Sequence, residues 1–229
     1  MLKTVVFYQS IISNQVYMKK FLFVLFFCGT VGATFAQELS TNSKAFLMFL
    51  HAGWGKLPDK TSGLTNSSAD YINEFCSGVE WNIQAFFRSQ KLITGLLYSG
   101  YTANGQLEYS SDKILTTYIA PQIGMNIPVG GEKFDIAFNA GLGGMWYRNN
   151  SLVFGKDRNV KGSTSGVNLG VKAVYNFIPN LGVSFEIATI RANLYKTNIN
   201  YHDETIKVNY PDALHLNQFT FSIGLKYSL

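Results

Sequence analysis

The sequence predicts an all-β protein, a transmembrane antiparallel up-and-down β-barrel of about eight strands with short periplasmic turns and long extracellular loops. Three observations predict this class. Stretches of about ten residues alternate between apolar and small or polar side chains, the period of a β-strand whose two faces meet different surroundings. The connections between these stretches are alternately short and long, and aromatic residues concentrate near the ends of the stretches.

Composition favours the same class. The chain has 229 residues, of which 47% are hydrophobic, 15% aromatic and only 14% charged. This length allows one domain, and so low a charge with so many aromatic residues is unusual in a soluble one. No stretch after the leader approaches the roughly twenty apolar residues that a transmembrane helix needs, so any membrane crossing has to be made by strands.

The first 36 residues are predicted to be a leader with a secretory signal peptide. Met18-Lys19-Lys20, the expected translation start, precedes the apolar run FLFVLFFCGTVGATFA, which ends in a small-x-small pattern at Ala36. The alternative, a membrane anchor helix, is disfavoured because the run is too short to span. Cleavage after Ala36 leaves a periplasmic N-terminal segment, 37–43, and a barrel domain, 44–229.

Charge and cysteine content exclude several kinds of partner. Cleavage removes three of the 19 basic residues and none of the 14 acidic ones, so the net charge falls from +5 to +2 and a nucleic-acid partner is not expected. Cys28 leaves with the leader, and Cys76 is then alone, so neither an internal disulfide nor a cysteine metal cluster is predicted. We expect no cofactor.

The strands are assigned from the alternation. Two stretches, 44–54 and 91–103, are apolar on both faces, which leaves open which face is turned inward. The others are 79–88, 115–127, 134–143, 167–177, 181–188 and 219–229. Short connections are predicted at 88–91, 128–132 and 178–180, and long polar ones at 55–76, 104–112, 149–163 and 195–212.

Aromatic placement gives the orientation. If the first strand runs outward, one aromatic set falls at the outer end of the barrel: Trp54, Trp81, Trp146, Tyr98, Tyr101, Tyr118, Tyr147 and Tyr195. A second set falls at the inner end: Phe87, Phe134, Tyr175, Phe177 and Tyr227. Such rings prefer the water–lipid interface, and we predict an interfacial girdle that includes Trp54, Trp81, Trp146, Tyr175, Phe177 and Tyr227.

The sequence finishes on a regular strand, 219–229. An unpaired apolar edge templates aggregation, so this strand is expected to close the barrel against the first one. Leu214 and Leu216 have the opposite parity from Phe219, which predicts either a bulge near Asn217 or a different register for the residues before Phe219.

At this point the chain resembles the small outer-membrane barrel superfamily of Gram-negative bacteria, similar to the OmpX-like, OmpA-like and porin-like barrels. Ser222, Gly224, Tyr227 and Leu229 look like the C-terminal signal by which the insertion machinery recognises these proteins, although the usual terminal residue is Phe. The resemblance implies an outer-membrane location, with the lipid bilayer, lipopolysaccharide and the insertion machinery as partners. It does not specify function, because this fold hosts pores, adhesins, enzymes and inert barrels.

Charged residues at inward positions are the first candidates for chemistry. A tight turn at 178–180 sets Lys172 opposite Glu186 inside the barrel. Alternation also turns four further charged residues inward: Glu80, Arg88, Asp135 and Lys226. An eight-stranded barrel is just wide enough for side chains to fill, so a polar plug is expected, with a narrow ion path as the alternative.

Histidine contexts do not indicate an enzyme. Some barrels of this size resemble lipid-modifying enzymes that act on lipopolysaccharide, and the deacylases among them carry a His-x-Ser pair on one strand. None of the sequences after His51, His202 and His215 supplies such a pair. We therefore predict no catalytic, cofactor-binding or metal-binding residue, although a serine close to a histidine in space is left open.

The outer connections are the remaining place for function. Residues 197–201 and 205–210 can form a hairpin that continues two strands beyond the membrane. The prediction is a non-enzymatic barrel that serves envelope structure or surface interaction, such as adhesion or partner binding, through the connections 55–76 and 195–212. The alternatives are a barrel enzyme that modifies lipopolysaccharide and a narrow pore for small solutes.

Overall fold

The computed structural model describes residues 44–57, 77–107, 110–129, 133–153, 155–201 and 204–229, which fall in one compact unit. The predicted leader, the segment 37–43, Cys76 and most of the connection 55–76 lie outside the described residues. The described part of the chain contains no helix that is long and apolar enough to cross a membrane.

Nine strands account for almost all described residues. They are β1 (Lys44–Lys56), β2 (Ser77–Ser89), β3 (Leu92–Leu107), β4 (Ser110–Pro128), β5 (Phe134–Val153), β6 (Lys156–Ile178), β7 (Leu181–Tyr201), β8 (Glu204–His215) and β9 (Gln218–Ser228). All pairings are antiparallel.

The sheet closes on itself as a ring of eight strand positions. Strands β1 to β7 pair consecutively, and β9 pairs with both β7 and β1. Strand β8 continues the β9 position outward, because it pairs with the outer part of β7 while β9 pairs with the inner part. The predicted up-and-down barrel is confirmed, and its last strand pairs with the first one as predicted.

The exterior of the ring is apolar. On β6 and β7, outward-facing Leu169 and Phe185 are 56% and 55% exposed, whereas their inward neighbours are buried. A continuous exposed apolar surface of this kind is insoluble in water and is compatible with lipid. The barrel therefore has an exterior built for the hydrocarbon region of a bilayer.

The interior is layered rather than uniformly polar. An inner apolar cluster lies toward the short turns and consists of Leu47, Phe49, Phe86, Ile93, Ala137 and Val174. An outer apolar cluster includes Leu57, Leu97, Tyr101, Ile114, Tyr118, Met145, Tyr147, Ile190, Leu194, Leu214 and Leu216. The inner apolar cluster explains why 44–54 is apolar on both faces, because Leu47 and Phe49 face the interior while Met48 and Leu50 face out.

Three tyrosines assigned to the outer girdle lie elsewhere. Tyr101, Tyr118 and Tyr147 are buried in the outer apolar cluster, with exposed fractions of 1%, 1% and 4%. The Tyr118 hydroxyl donates to the carbonyl of Gly166 at 3.0 Å. The prediction that they join the interfacial ring was wrong because they occupy inward-facing positions of their strands.

Much of what was predicted as long polar connections is strand. The strand pairs β3–β4, β5–β6 and β7–β8 run out to 107/110, 153/156 and 201/204, well into the predicted connections 104–112, 149–163 and 195–212. Outside a membrane both faces of a sheet can be polar, so the apolar–polar period that marks a strand is absent there. The predicted pairing of 197–201 with 205–210 is present, between β7 and β8.

The predicted bulge near Asn217 is also wrong. Pairing with β7 keeps one register from Asn193↔His215 to Ile190↔Gln218, and the irregularity lies instead at Leu194/Lys196. Leu214 and Leu216 point inward, into the outer apolar cluster, so their parity matches that of the polar residues that follow. The prediction failed because it treated every apolar position as lipid-facing.

Candidate functional site

Between the two apolar clusters, four strands contribute a buried polar layer. We define it by its seven inward side chains: His51, Glu80, Asn82, Gln84, Lys172, Ser184 and Glu186. None is more than 3% exposed. Buried polar groups have to satisfy one another in such a place.

The centre of the layer is the ion pair between Lys172 and Glu186. The two residues are direct cross-strand partners, and Lys172 Nζ lies 3.0 Å from Glu186 Oε1. Lys172 Nζ also donates to Asn139 Oδ1 at 2.5 Å and lies 5.6 and 5.4 Å from the ring centroids of Phe49 and Phe86. The ammonium group is thus held by a carboxylate, an amide oxygen and two aromatic faces.

Glu186 collects further donors from β2. Gln84 Nε2 donates to both carboxylate oxygens at 2.9 Å, and Asn82 Nδ2 donates to Oε2 at 3.0 Å. Asn82 Nδ2 also donates to Glu80 Oε1 at 2.8 Å, which ties the second carboxyl group into the network. These bonds offset the cost of taking a carboxylate out of water.

His51 and Ser184 meet across the barrel seam. His51 Nε2 lies 2.7 Å from Ser184 Oγ, and His51 Nδ1 lies 3.0 Å from Asn82 Oδ1 and 3.4 Å from Glu186 Oε2. Because Asn82 Oδ1 can only accept, the proton is assigned to Nδ1, and Nε2 then accepts from the serine hydroxyl.

Gly224 makes this meeting possible. It is the register partner of both His51 and Ser184, so it lies between them on β9. A Cβ atom at Gly224 would come within 2.5 Å of His51 Cδ2. Sequence reasoning missed the pair because its members are 133 residues apart on β1 and β7. The signal that could have found them is that both occupy inward positions on the two strands that flank β9, and that β9 has a glycine at an inward position between them.

Chemically, Ser184, His51 and Asn82 have the hydrogen-bond order of a nucleophile, its base and an orienting group. They are also sealed. Ser184 is 0% exposed and His51 1% exposed, and the layer lies between two apolar clusters. A scissile carbonyl could reach Ser184 Oγ only if those clusters parted. In this structure the three side chains are part of the interior hydrogen-bond network.

A second polar group lies at the inner end of the barrel. Lys226 Nζ lies 3.6 Å from Asp135 Oδ2 and donates to Asn176 Oδ1 at 2.8 Å. Asn176 Nδ2 in turn donates to Asp135 Oδ2 at 3.1 Å. Of the other charged residues predicted to face inward, Glu80 lies in the buried polar layer and Arg88 is half-buried.

The side chains of all six residues predicted for the interfacial girdle point away from the barrel interior and are exposed on its outer surface. The exposed fractions at the outer end are 44% for Trp54, 38% for Trp81 and 47% for Trp146. At the inner end they are 44% for Tyr175, 48% for Phe177 and 43% for Tyr227.

The residues predicted as an insertion signal divide between the faces of β9. The side chain of Ser222 is buried inside, Gly224 lies between His51 and Ser184, and Tyr227 and Leu229 are exposed outside.

No group of three metal-ligating side chains occurs among the described residues. His202 lies outside them. His215 is exposed, and its Nδ1 lies 2.8 Å from Asn193 Oδ1.

A projecting sheet rises from one side of the barrel. Spanning a bilayer takes about 9–11 tilted residues, and β1 and β2 have 13 each, whereas β5, β6 and β7 have 20, 23 and 21. We define the projecting sheet as the described residues within 103–114, 147–162 and 196–210, the outer parts of β3 to β8.

Among the described residues, the projecting sheet has two open edges, the outer part of β3 and β8, and it holds a polar pocket. Among the described strands, β8 pairs with β7 alone, so its other edge has no partner there. A polar pocket of about 940 Å³ lies among the outer ends of β4 to β8. Its lining includes Asn150, Lys156, Asp157, Arg158, Asn200 and Thr205.

The chain is similar in structure to solved outer-membrane proteins. It matches the neisserial surface protein A with 13% identity and a TM-score of 0.50, covering 81% of this chain and 99% of that one. It matches a major outer membrane protein of Thermus thermophilus with 12% identity and a TM-score of 0.57, over 82% and 100% of the two chains. No protein-family model matches the sequence, and comparison with curated proteins gives no significant match.

At sequence identities this low, the structural similarity is evidence for the fold alone. A closed antiparallel ring, an apolar exterior and the match to these barrels define the chain as an outer-membrane β-barrel protein. The predicted fold class, a transmembrane antiparallel up-and-down β-barrel of about eight strands, is confirmed.

Proposed function

We propose that this barrel is non-enzymatic and serves envelope structure or surface interaction through its projecting sheet. The observation that carries the proposal is the sheet itself, which extends β5 to β7 far beyond what a bilayer requires and leaves β8 with an open edge. Exposed strand edges accept a partner strand through main-chain hydrogen bonds. The polar pocket of about 940 Å³ among the strand tips supports binding of a polar ligand.

The test compares the full chain with a variant in which residues 197–208 are replaced by an Asn-Gly turn. Cells that display each protein are measured for binding to a panel of immobilised proteins and glycans and for detergent sensitivity of the envelope. We expect the shortened variant to lose binding while its barrel still folds. If shortening changes neither surface binding nor envelope sensitivity, the proposal is contradicted.

A lipid-modifying enzyme is the second candidate, because Ser184, His51 and Asn82 stand in nucleophile–base–orienter order. Their burial opposes it, since acyl transfer needs access to the nucleophile. Mass spectra of lipid A from cells with the wild type, with Ser184→Ala and without the protein should be identical. A mass change that requires Ser184 would establish the enzyme and overturn the non-enzymatic proposal.

A pore is disfavoured by the packed interior. Large side chains of both apolar clusters are fully buried, among them Phe49, Phe86 and Leu216. An eight-stranded ring leaves little space once such side chains fill it. We expect no single-channel steps in a planar bilayer, and regular steps from the purified barrel would contradict a closed interior.

A further inference from the structure

The outward face of the projecting sheet carries five cations that sequence alternation did not single out. We define the basic patch by these residues: Lys113, Arg148, Lys161, Lys196 and Lys207. All five are exposed, and they lie on five consecutive strands, β4 to β8.

Register brings the five side chains together. Arg148 and Lys161 are direct cross-strand partners. Lys113 is diagonal to Arg148, because its partner is Asn150. On the other side, Asn198 pairs with both Lys161 and Lys207, and Lys196 lies two residues before it on β7. Direct and diagonal neighbours of this kind lie within about 5–8 Å of each other at Cβ.

None of the five cations has an ion-pair partner among the described residues. The buried or half-buried cations Lys172, Lys226 and Arg158 each lie within 4 Å of a carboxylate, but none of the five residues of the basic patch makes an ion pair there. Asp157 is the one carboxylate on the same face within the described part of the sheet, and it lies four residues from Lys161 toward the tip. Like charges placed directly opposite each other on a sheet are unfavourable, so a bound anion would relieve this surface.

The position of the basic patch identifies the anion. Trp146 is the next outward residue on β5 toward the membrane after Arg148, and Tyr195 adjoins Lys196 on β7; both rings are about half exposed. Tyrosine and tryptophan rings mark the level of the lipid headgroups. The cations thus stand one step outside the hydrocarbon region, where the phosphates of outer-leaflet lipids lie.

We propose that the basic patch is a binding site for the phosphate groups of a phosphorylated lipid in the outer leaflet. Arginine and lysine recognise phosphate through charge-assisted hydrogen bonds, and Arg148 can do so with two parallel donors. The acyl chains of the lipid would lie along the apolar exterior below Trp146. The site would hold one lipid beside β4 to β8, with its phosphate groups against the outward face of the projecting sheet.

The experiment measures binding of bis-phosphorylated lipid A to the purified full barrel in a non-ionic detergent by native mass spectrometry. Its dephosphorylated form is the comparison lipid. The test variant is Arg148→Gln with Lys161→Gln. The control is Lys91→Gln with Lys133→Gln, which removes two exposed cations from the inner turns and leaves the same net charge. A heat-dependent gel shift of each variant shows that it is folded.

We expect the test variant to bind the phosphorylated lipid about thirtyfold more weakly, from roughly 1 kcal/mol for each cation near an anionic surface, and the control to bind as the wild type does. Equal weakening in both variants, no weakening in the test variant, or equal binding of the dephosphorylated lipid would overturn the proposal. Competition by inorganic phosphate or by an acyl-free phosphorylated saccharide at the same concentration would assign the patch to a soluble anion instead.

Discussion

Lys172 shows how a fully buried charge is kept inside an outer-membrane barrel. Its ammonium group has one carboxylate partner, one amide partner and two aromatic faces, and it has no contact with solvent. The same site would hold a pair of apolar side chains at little cost. We therefore expect the ion pair to contribute more to correct strand pairing than to net stability.

Replacing Lys172 by Met leaves Glu186 as an uncompensated buried charge. We expect the barrel to lose about 3–5 kcal/mol of unfolding free energy, measured by urea denaturation in detergent. The double variant Lys172→Met with Glu186→Gln should recover much of the loss because no charge is left alone. Equal stability of the wild type and the single variant would show that the pair does not hold the layer together.

Gly224 offers a second test at this scale. A Cβ atom there would come within 2.5 Å of His51 Cδ2 and within 2.2 Å of the Leu50 carbonyl oxygen, so Gly224→Ala should push the ring away from Ser184 and lower the unfolding temperature. The control is Ala188→Gly on β7, which also changes a side chain by one methyl group but places no additional atom in the seam. An unchanged unfolding temperature for Gly224→Ala would contradict the proposed role of this glycine.

Whether a contact between two side chains could be predicted from the sequence depended on how far apart the two residues are along the chain. Lys172 and Glu186 could be placed opposite each other because one tight turn sets their register. The contact between His51 and Ser184 could not, because it depends on closure of the seam by β9, and alternation gives parity but not the relative height of strands that are distant in sequence.

At the scale of the element, β9 is expected to have two separate roles, closure of the seam and recognition by the insertion machinery. It supplies hydrogen bonds to both neighbours of the seam, and its C-terminal residues resemble an insertion signal. These roles can be separated by comparing two exterior tyrosines at the inner end, Tyr227 and Tyr175, which are 43% and 44% exposed.

We expect Tyr227→Ala to reduce the amount of inserted barrel in cells, while Tyr175→Ala does not. Both variants should refold alike when diluted from urea into detergent, because the two side chains are exposed to nearly the same extent. The measurement is the heat-shifted band in outer-membrane fractions. An equal decrease for both variants in cells would mean that loss of an interfacial ring matters, and that the C-terminal position has no special role.

The elements were predictable where the membrane imposes a pattern and unpredictable where it does not. Strands such as 167–177 stand between lipid and a polar interior, so they alternate. Farther out, the outward face of the described residues is largely polar, and the inward face mixes buried polar side chains such as Asn149 with buried apolar ones such as Tyr147. No single apolar–polar period marks these strands, although they continue as a paired sheet.

For the whole molecule, the exterior determines how the barrel is positioned in a bilayer. The tryptophans at 54, 81 and 146 belong to the proposed outer girdle, whereas Leu169 lies between the two girdles on β6. Rings at the interface and side chains at mid-membrane differ in depth by much of one leaflet.

This placement predicts a depth profile. A barrel that retains only Trp146 should be quenched more by lipids brominated near the glycerol backbone than by lipids brominated near the chain ends. A barrel with its native tryptophans replaced by Phe and Leu169→Trp introduced should show the reverse order. The same order in both proteins would contradict the membrane position inferred from the exterior.

The seam between β1 and β9 joins the two ends of the barrel sequence, with Leu47 paired to Ser228. Contacts so distant along the chain form late, because loop closure has to precede them. The hydrogen bonds that join His51, Asn82 and Gln84 to Ser184 and Glu186 depend on the same closure, so they cannot form strand by strand. Once formed, they have to be lost together with the seam before any strand can leave. The barrel is thus expected to open slowly, and its persistence in the envelope would be set by the rate of that single opening event rather than by the equilibrium free energy alone.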